Sequence, residues 1–181
     1  MWDNTNVHLK KSSDAQCQRN TYSLYYADNV GKGAVWIQPC GWMGTHELWE
    51  GSVSDSEYMV ESGVFPALND FIEKHDEEKS STRFTIVLDK GYRITTEAWN
   101  TGSHFVLQPT FAKSGQRFTS CETLLTASVA TDRAGNERAV RYVKNSDFIA
   151  KGLLSNESVE TLCDVWLAWG FQLNFMYKSV H

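Results

Sequence analysis

The chain has 181 residues, of which 41% are hydrophobic and 13% aromatic, and its formal net charge is −5. This length and apolar content suffice for one domain with a substantial core, and they exclude a disordered chain. No apolar run approaches the ~20 residues of a membrane-spanning helix, and no secretory leader is recognisable, so we expect neither a membrane protein nor a secreted one. The negative net charge speaks against a general affinity for nucleic acids.

The first half of the chain predicts a strand, a polar excursion and a hairpin. Residues 1–9 alternate in a mixed pattern that favours a strand, and residues 10–32 are polar and suggest a long irregular excursion. Residues 33–37 and 42–49 predict two strands. A turn at Pro39-Cys40-Gly41 joins them, because Pro presets the first turn residue and Gly tolerates a positive φ.

The second half predicts helices alternating with strands. Ser54-Asp55-Ser56-Glu57 has the pattern of a capping box, in which the Ser and Glu side chains satisfy free amides at a helix start. We therefore expect a helix over residues 55–62 and a second over 65–75, followed by a charged loop over 76–81. The apolar run 84–88 predicts a buried central strand. The remaining elements are a short helix near 96–100, a strand over 104–107, a long helix over 119–144 and an amphipathic helix over 155–177.

The basic residues are concentrated in one part of the chain. Residues 83–144 contain nine Lys and Arg against five Asp and Glu, an excess of four positive charges that leaves −9 for the rest. A local basic excess of this kind is where the phosphates of a nucleic acid would lie. The alternative is a chance asymmetry on a solvated face.

Three acidic residues suggest a site for divalent cations. Asp3 lies in the first predicted strand, Asp89 follows the apolar run 84–88, and Glu137 lies in the long helix. Two strand-borne aspartates and one helix-borne glutamate can form an oxygen-rich pocket that suits Mg²⁺ or Mn²⁺. A pair of such ions can drive in-line phosphoryl transfer on a nucleic-acid backbone.

Each of these acids also has an ordinary interpretation. Arg133 and Arg141 lie four residues on either side of Glu137, which is the spacing of simple ion pairs on a helix surface. Asp89 is harder to explain in this way, because a charge at the end of a buried strand is costly unless it is paired or bound to a metal.

Short motifs in a fixed order extend the pattern over most of the chain. They are Asp3-Asn4-Thr5 with Lys11-Ser12-Ser13, Thr21-Tyr22-Ser23-x-Tyr25, Leu48-Trp49-x-Gly51-Ser52-Val53-Ser54-Asp55, Leu88-Asp89-Lys90-Gly91-Tyr92-Arg93-Ile94, Gln116-x-x-Thr119-x-x-Glu122, and Arg133-x-x-x-Glu137-Arg138-x-Val140-x-x-x-Lys144. With these motifs the chain resembles the DDE superfamily endonuclease domains of PIF/Harbinger-type and THAP-associated transposases. Asn136 and Gly135 depart from the family pattern, since relatives often have Val and His at these positions.

The resemblance implies an α/β fold of ribonuclease-H-like type, with a mixed sheet flanked by helices, in a single domain over residues 1–181 that is shortened at its first strand. It implies that Asp3, Asp89 and Glu137 are both the catalytic residues and the ligands of Mg²⁺ or Mn²⁺. The implied activity is metal-dependent, transposase-type cleavage of DNA, in the nucleus or, alternatively, the cytoplasm. A separate DNA-binding protein or an N-terminal domain missing from this chain would supply the targeting.

Four basic residues are candidates for contacts with DNA phosphates: Lys90, Arg133, Arg138 and Lys144. Ion pairing with nearby acids is the more ordinary role for such residues. Two other interpretations of the chain stay open. It could be a catalytically inactive, domesticated remnant that binds DNA or a protein partner, or a plain α/β binding protein whose acids are structural.

Overall fold

The computed structural model describes residues 1–75, 84–102, 104–111, 115, 117–146, 149 and 159–177. They form a mixed α/β structure with the element order β1 (Trp2–His8), α1 (Ala15–Thr21), β2 (Tyr22–Ser23), β3 (Asp28–Ile37), β4 (Met43–Glu50), α2 (Asp55–Glu61), α3 (Val64–His75), β5 (Thr85–Val87), α4 (Thr95–Gly102), β6 (Phe105–Leu107), α5 (Ser120–Lys144) and α6 (Val159–Met176). The chain divides into two compact units, Met1–Ser54 with Ala134–His181, and Asp55–Arg133. None of the helices in these described ranges is long and apolar enough to cross a membrane.

The sheet of the first unit is antiparallel and has β3 at its centre. β1 pairs along one edge of β3, from Trp2 opposite Trp36 to His8 opposite Val30, and β4 and the short β2 pair along the other edge. The turn between β3 and β4 contains Gly41, whose φ of 87° lies in the region that favours glycine. The predicted hairpin is therefore confirmed.

The predicted irregular excursion over residues 10–32 was wrong in part, because it contains the helix α1 and the start of β3. Asp14 caps the helix, since its Oδ1 accepts a hydrogen bond from the backbone N–H of Cys17 at 2.7 Å. The hydroxyl of Thr21 donates to Oδ1 of Asn29 at 3.0 Å and links the end of α1 to β3. A short helix with few apolar residues offers little periodicity from which it could be predicted.

The core of the first unit lies between one face of this sheet and two helices. Val7 and Val35 from the sheet pack with Ala139 and Val143 from the second half of α5 and with Trp166 from α6. The indole N–H of Trp166 donates to the carbonyl of residue 46 in β4 at 2.8 Å, so its one polar atom is also satisfied.

The second unit contains a parallel pair of strands. Ile86 of β5 lies opposite Val106 of β6, and α4 connects the two strands, which makes a β-α-β unit. The first half of α5 starts with a capping box. The backbone N–H of Thr119 donates to Oε2 of Glu122 at 2.7 Å, and the N–H of Glu122 donates to Oγ1 of Thr119 at 3.2 Å.

The predicted strands over 84–88 and 104–107 and the helices over 55–62, 65–75, 96–100 and 119–144 are confirmed, with boundaries shifted by one to a few residues. In the described ranges the strand predicted over 84–88 pairs with β6 alone, so its central position in a sheet stays a prediction. The predicted loop over 76–81 and the start of the last helix at 155–158 lie outside the described residues. In the described ranges the strands form one antiparallel and one parallel sheet. A single ribonuclease-H-like sheet therefore stays a prediction.

Gly33 in β3 is a position where the core leaves no room for a side chain. A Cβ atom there would lie 2.7 Å from Leu48 and 2.8 Å from the ring of Trp166, whereas a Cβ at Gly31 would meet Leu9 at an ordinary 3.7 Å. We expect Gly33→Ala to lower the free energy of unfolding by about 1–3 kcal/mol through overpacking. Gly31→Ala, on the same strand and face, should change it little. Urea denaturation followed by tryptophan fluorescence measures both, and equal stabilities would contradict this packing.

Candidate active site

Asp3 is carried by β1 on the face that the helices cover. It lies opposite Val35 in the register, and side chains two residues apart in a strand share a face, so Asp3 is on the same side as Thr5 and Val7. Val7 belongs to the core that includes Ala139 of α5. The partly buried carboxylate of Asp3 therefore lies on the side of the sheet where the second half of α5 packs.

Glu137 is an exposed residue of α5, two positions before the buried Ala139. Lys144 lies two helical turns beyond Glu137, on the same stripe of the helix and roughly 10 Å along its axis. Burial lowers the pKa of the Lys144 ammonium below its ordinary value, and the negative charge of Asp3 acts in the opposite direction. Asp3 is thus close enough to this stripe of α5 to interact with it electrostatically.

Asp89 follows the buried Leu88 at the carboxyl end of β5, as predicted for a site residue of an α/β sheet. Its Oδ1 accepts a hydrogen bond from the backbone N–H of Lys90 at 2.6 Å and lies 3.1 Å from Nη1 of Arg133. In the described part of the chain both polar contacts of this carboxylate are on Oδ1, and the side chain is 41% exposed. Oδ2 is therefore the oxygen that can accept a further ligand.

Gln108 fixes the backbone of the Asp89 loop. Its Nε2 donates to the carbonyls of Asp89 at 2.8 Å and of Tyr92 at 2.9 Å. Gln108 is not among the site residues that the sequence predicted. A signal for it exists, because Gln108 follows β6 directly, as Leu88 and Asp89 follow β5, and adjacent parallel strands end at the same edge.

Two of the four candidate phosphate-binding residues interact electrostatically with the predicted aspartate ligands. Arg133 contacts Asp89, and Lys144 is influenced by the charge of Asp3. The ammonium of Lys90 lies 5.0 Å from the centre of the Phe111 ring, a cation–π distance, and Arg138 is exposed on α5. In each unit, a basic side chain therefore interacts with one of the predicted aspartate ligands.

The donor atoms fit the ions that the motifs imply, because three carboxylates provide the hard oxygen ligands that Mg²⁺ and Mn²⁺ prefer. Asp3 and Glu137 belong to the first unit and Asp89 to the second. Among the residues that the structure describes, no three His, Cys, Asp or Glu side chains form a group that could hold a metal ion. The convergence of the three carboxylates stays a prediction.

Asn136, next to Glu137, is fully buried in α5. Neither its Oδ1 nor its Nδ2 has a hydrogen-bond partner in the described ranges. A buried amide without partners is destabilising, because it loses its hydrogen bonds to water and gains none in the protein. This is one of the two positions where the chain departs from the pattern of the family that it resembles.

Comparison with known proteins gives one match. A family model described as DDE superfamily endonuclease matches residues 2–169, which is most of the chain. No curated protein and no solved structure matches it.

Asn136→Val should raise the free energy of unfolding by about 1–3 kcal/mol, because it removes two buried polar atoms without partners. Asn100→Val, the same substitution at an exposed position of α4, serves as the control and should change stability by less than about 0.5 kcal/mol. Thermal unfolding followed by circular dichroism measures both variants. A loss of stability in Asn136→Val would show that the amide has a partner that holds it in place.

Proposed function

The chain belongs to the DDE superfamily endonucleases, and we propose that it is a metal-dependent endonuclease of PIF/Harbinger transposase type that cleaves DNA. The observation that carries this proposal is that hydrogen bonds fix the Asp89 loop and one of its carboxylate oxygens. Its loop is fixed by Gln108 and its Oδ1 by the amide of Lys90, while Oδ2 can accept a ligand. A carboxylate held in this way is suited to metal binding, because its orientation is set before the metal arrives.

The arrangement of the acids along the fold supports a ribonuclease-H-like architecture. The first strand of the antiparallel sheet carries Asp3, the parallel pair carries Asp89 at its carboxyl end, and the long helix that follows carries Glu137. Asp3 and the stripe of α5 that contains Glu137 are on one side of the first sheet. This order of the acids along the elements supports the proposal.

In the proposed mechanism, Asp3, Asp89 and Glu137 would hold the Mg²⁺ or Mn²⁺ ions. When bound, such ions would supply activation of an attacking water or strand-end hydroxyl and stabilisation of the leaving 3′ oxygen. Asp89 contributes a preset carboxylate, and Glu137, on a helix anchored in the core by Ala139, adds another from a fixed backbone. Lys90, Arg133, Arg138 and Lys144 contact the phosphates on either side of the cleaved bond.

The substrate in this proposal is DNA, and the site of action is the nucleus. Recognition of a target sequence would come from a DNA-binding protein or domain outside residues 1–181. The basic excess of residues 83–144 supports contact with the phosphate backbone, which is independent of base sequence.

An inactive remnant that binds DNA or a protein is the second candidate. The observation in its favour is the ion pair of Arg133 with Asp89, since a basic side chain that permanently neutralises the carboxylate would leave no place for a metal. Metal titration separates the two candidates. An active site binds Mn²⁺ with an affinity that falls in Asp3→Asn and Glu137→Gln, whereas a structural role of these acids predicts lost stability and no metal dependence.

Asp89→Asn should reduce Mg²⁺-dependent nicking of a supercoiled plasmid by roughly a hundredfold or more, because the amide is a poor ligand for a hard cation. The fold should survive, as judged by circular dichroism, because the amide oxygen can still accept from the N–H of Lys90. Chelation of the metal with EDTA should abolish nicking by the unmodified chain.

Asp132→Asn is the matched control, since it removes the same charge from an exposed position of α5 next to Arg133. It should nick the plasmid at close to the unmodified rate. Full activity of a folded Asp89→Asn variant would defeat the assignment.

A further inference from the structure

Arg133 and Asp89 form an ion pair within the second unit. The carboxylate oxygen that contacts Arg133 also accepts a backbone hydrogen bond. Nη1 of Arg133 is 3.1 Å from Oδ1 of Asp89, and Oδ1 also accepts the N–H of Lys90 at 2.6 Å. The side chain of Arg133 is 30% exposed and that of Asp89 is 41% exposed. Both partners of the pair are therefore accessible to water and to ligands.

An ion pair with this exposure is easily broken. Solvent screens the attraction, and such pairs change an equilibrium constant by only about two- to fivefold. An arginine guanidinium is not deprotonated in proteins, so Asp89 is freed only when the side chain of Arg133 moves away. The side chain is long enough to do so, whereas the backbone contact of Lys90 is fixed.

We propose that Arg133 is an exchangeable counter-cation of Asp89: a divalent ion replaces it at the carboxylate, and the released guanidinium binds a phosphate of the DNA backbone. This inference rests on the proposed function and adds a form of regulation to it. Without metal, Asp89 retains Arg133, and the affinity for DNA is reduced. With metal, the guanidinium and the ion act on the same phosphodiester.

Electrostatics couples metal binding at Asp89 to phosphate binding by Arg133. A guanidinium next to a carboxylate repels an arriving dication, so the pair weakens metal binding in the absence of DNA. The planar guanidinium matches a phosphate with two parallel hydrogen bonds, which a surface carboxylate held through one oxygen does not provide. Metal binding and DNA binding therefore strengthen each other by the same factor, as linkage requires.

The first unit contains a similar arrangement. The charge of Asp3 acts on the half-buried ammonium of Lys144, near the other end of α5. Each of the two aspartates thus interacts electrostatically with a basic residue of α5. The pair of Arg133 and Asp89 is the better test, because its geometry is direct and both side chains are exposed.

The test is calorimetric titration of the full chain with Mn²⁺, without DNA, for the unmodified chain and the variants Arg133→Gln, Arg93→Gln and Asp89→Asn. Arg93 is the matched control, because it is exposed, carries the same charge and lies four residues from Asp89 without pairing with it. We expect Arg133→Gln to bind Mn²⁺ two- to fivefold more tightly than the unmodified chain. Arg93→Gln should change the affinity for Mn²⁺ less, because the charge that it removes does not contact Asp89.

A second measurement tests how metal binding changes the affinity for DNA. Fluorescence anisotropy of a labelled duplex, with Ca²⁺ or with EDTA, should show that the metal tightens DNA binding by the unmodified chain and by Arg93→Gln. In Arg133→Gln this gain should shrink two- to fivefold. Arg133→Lys, which keeps a cation beside Asp89, should bind Mn²⁺ as the unmodified chain does.

The outcomes distinguish this inference from the proposed function. If Asp89→Asn binds Mn²⁺ less tightly but Arg133→Gln and Arg93→Gln bind it equally well, the exchange is overturned and the metal site stands. If Asp89→Asn binds Mn²⁺ as tightly as the unmodified chain, the metal site is overturned, and the exchange with it.

Discussion

The long helix α5 carries a basic residue that interacts with each of the two predicted aspartate ligands, one in each unit. Arg133 contacts Asp89 in one unit, and the charge of Asp3 acts on the ammonium of Lys144 in the other. The same helix carries Glu137 and contributes Ala139 to the core of the first unit. Folding energy and site electrostatics therefore depend on one element.

The features that the sequence predicted well are local. The hairpin between β3 and β4 follows from the turn residues between them, and the start of α5 follows from the reciprocal hydrogen bonds of Thr119 and Glu122. Asp89 could be placed at a strand end because an apolar run leads to it. In each case, residues adjacent in sequence contain the whole signal.

The features that it missed depend on residues distant in sequence. Gln108 holds the Asp89 loop from nineteen positions away, and Arg133 reaches the same aspartate from the far side of the second unit's sequence. The position of Gln108 after a strand and the motif that contains Arg133 mark both residues, but neither signal predicts a contact with the Asp89 loop. The pairing of β3 with both β1 and β4 also decides which face Asp3 occupies, and such pairing follows from tertiary packing rather than from local periodicity.

Asn136 shows that α5 contains a buried polar residue next to the core. Its amide has no hydrogen-bond partner in the described ranges, and it lies one residue from Glu137 and three from the core residue Ala139. The cost of one such amide is smaller than the stabilisation that a packed helix face provides.

The proposed function requires that three carboxylates distant in sequence bind the same pair of dications. A crystal structure of the chain grown with Mn²⁺, with the ions located by their anomalous scattering, would test this requirement. We expect two peaks about 3.5–4 Å apart, each within coordination distance of oxygens from Asp3, Asp89 or Glu137. Ordered Mn²⁺ elsewhere, or carboxylates too far apart to share an ion in the presence of saturating Mn²⁺, would contradict it.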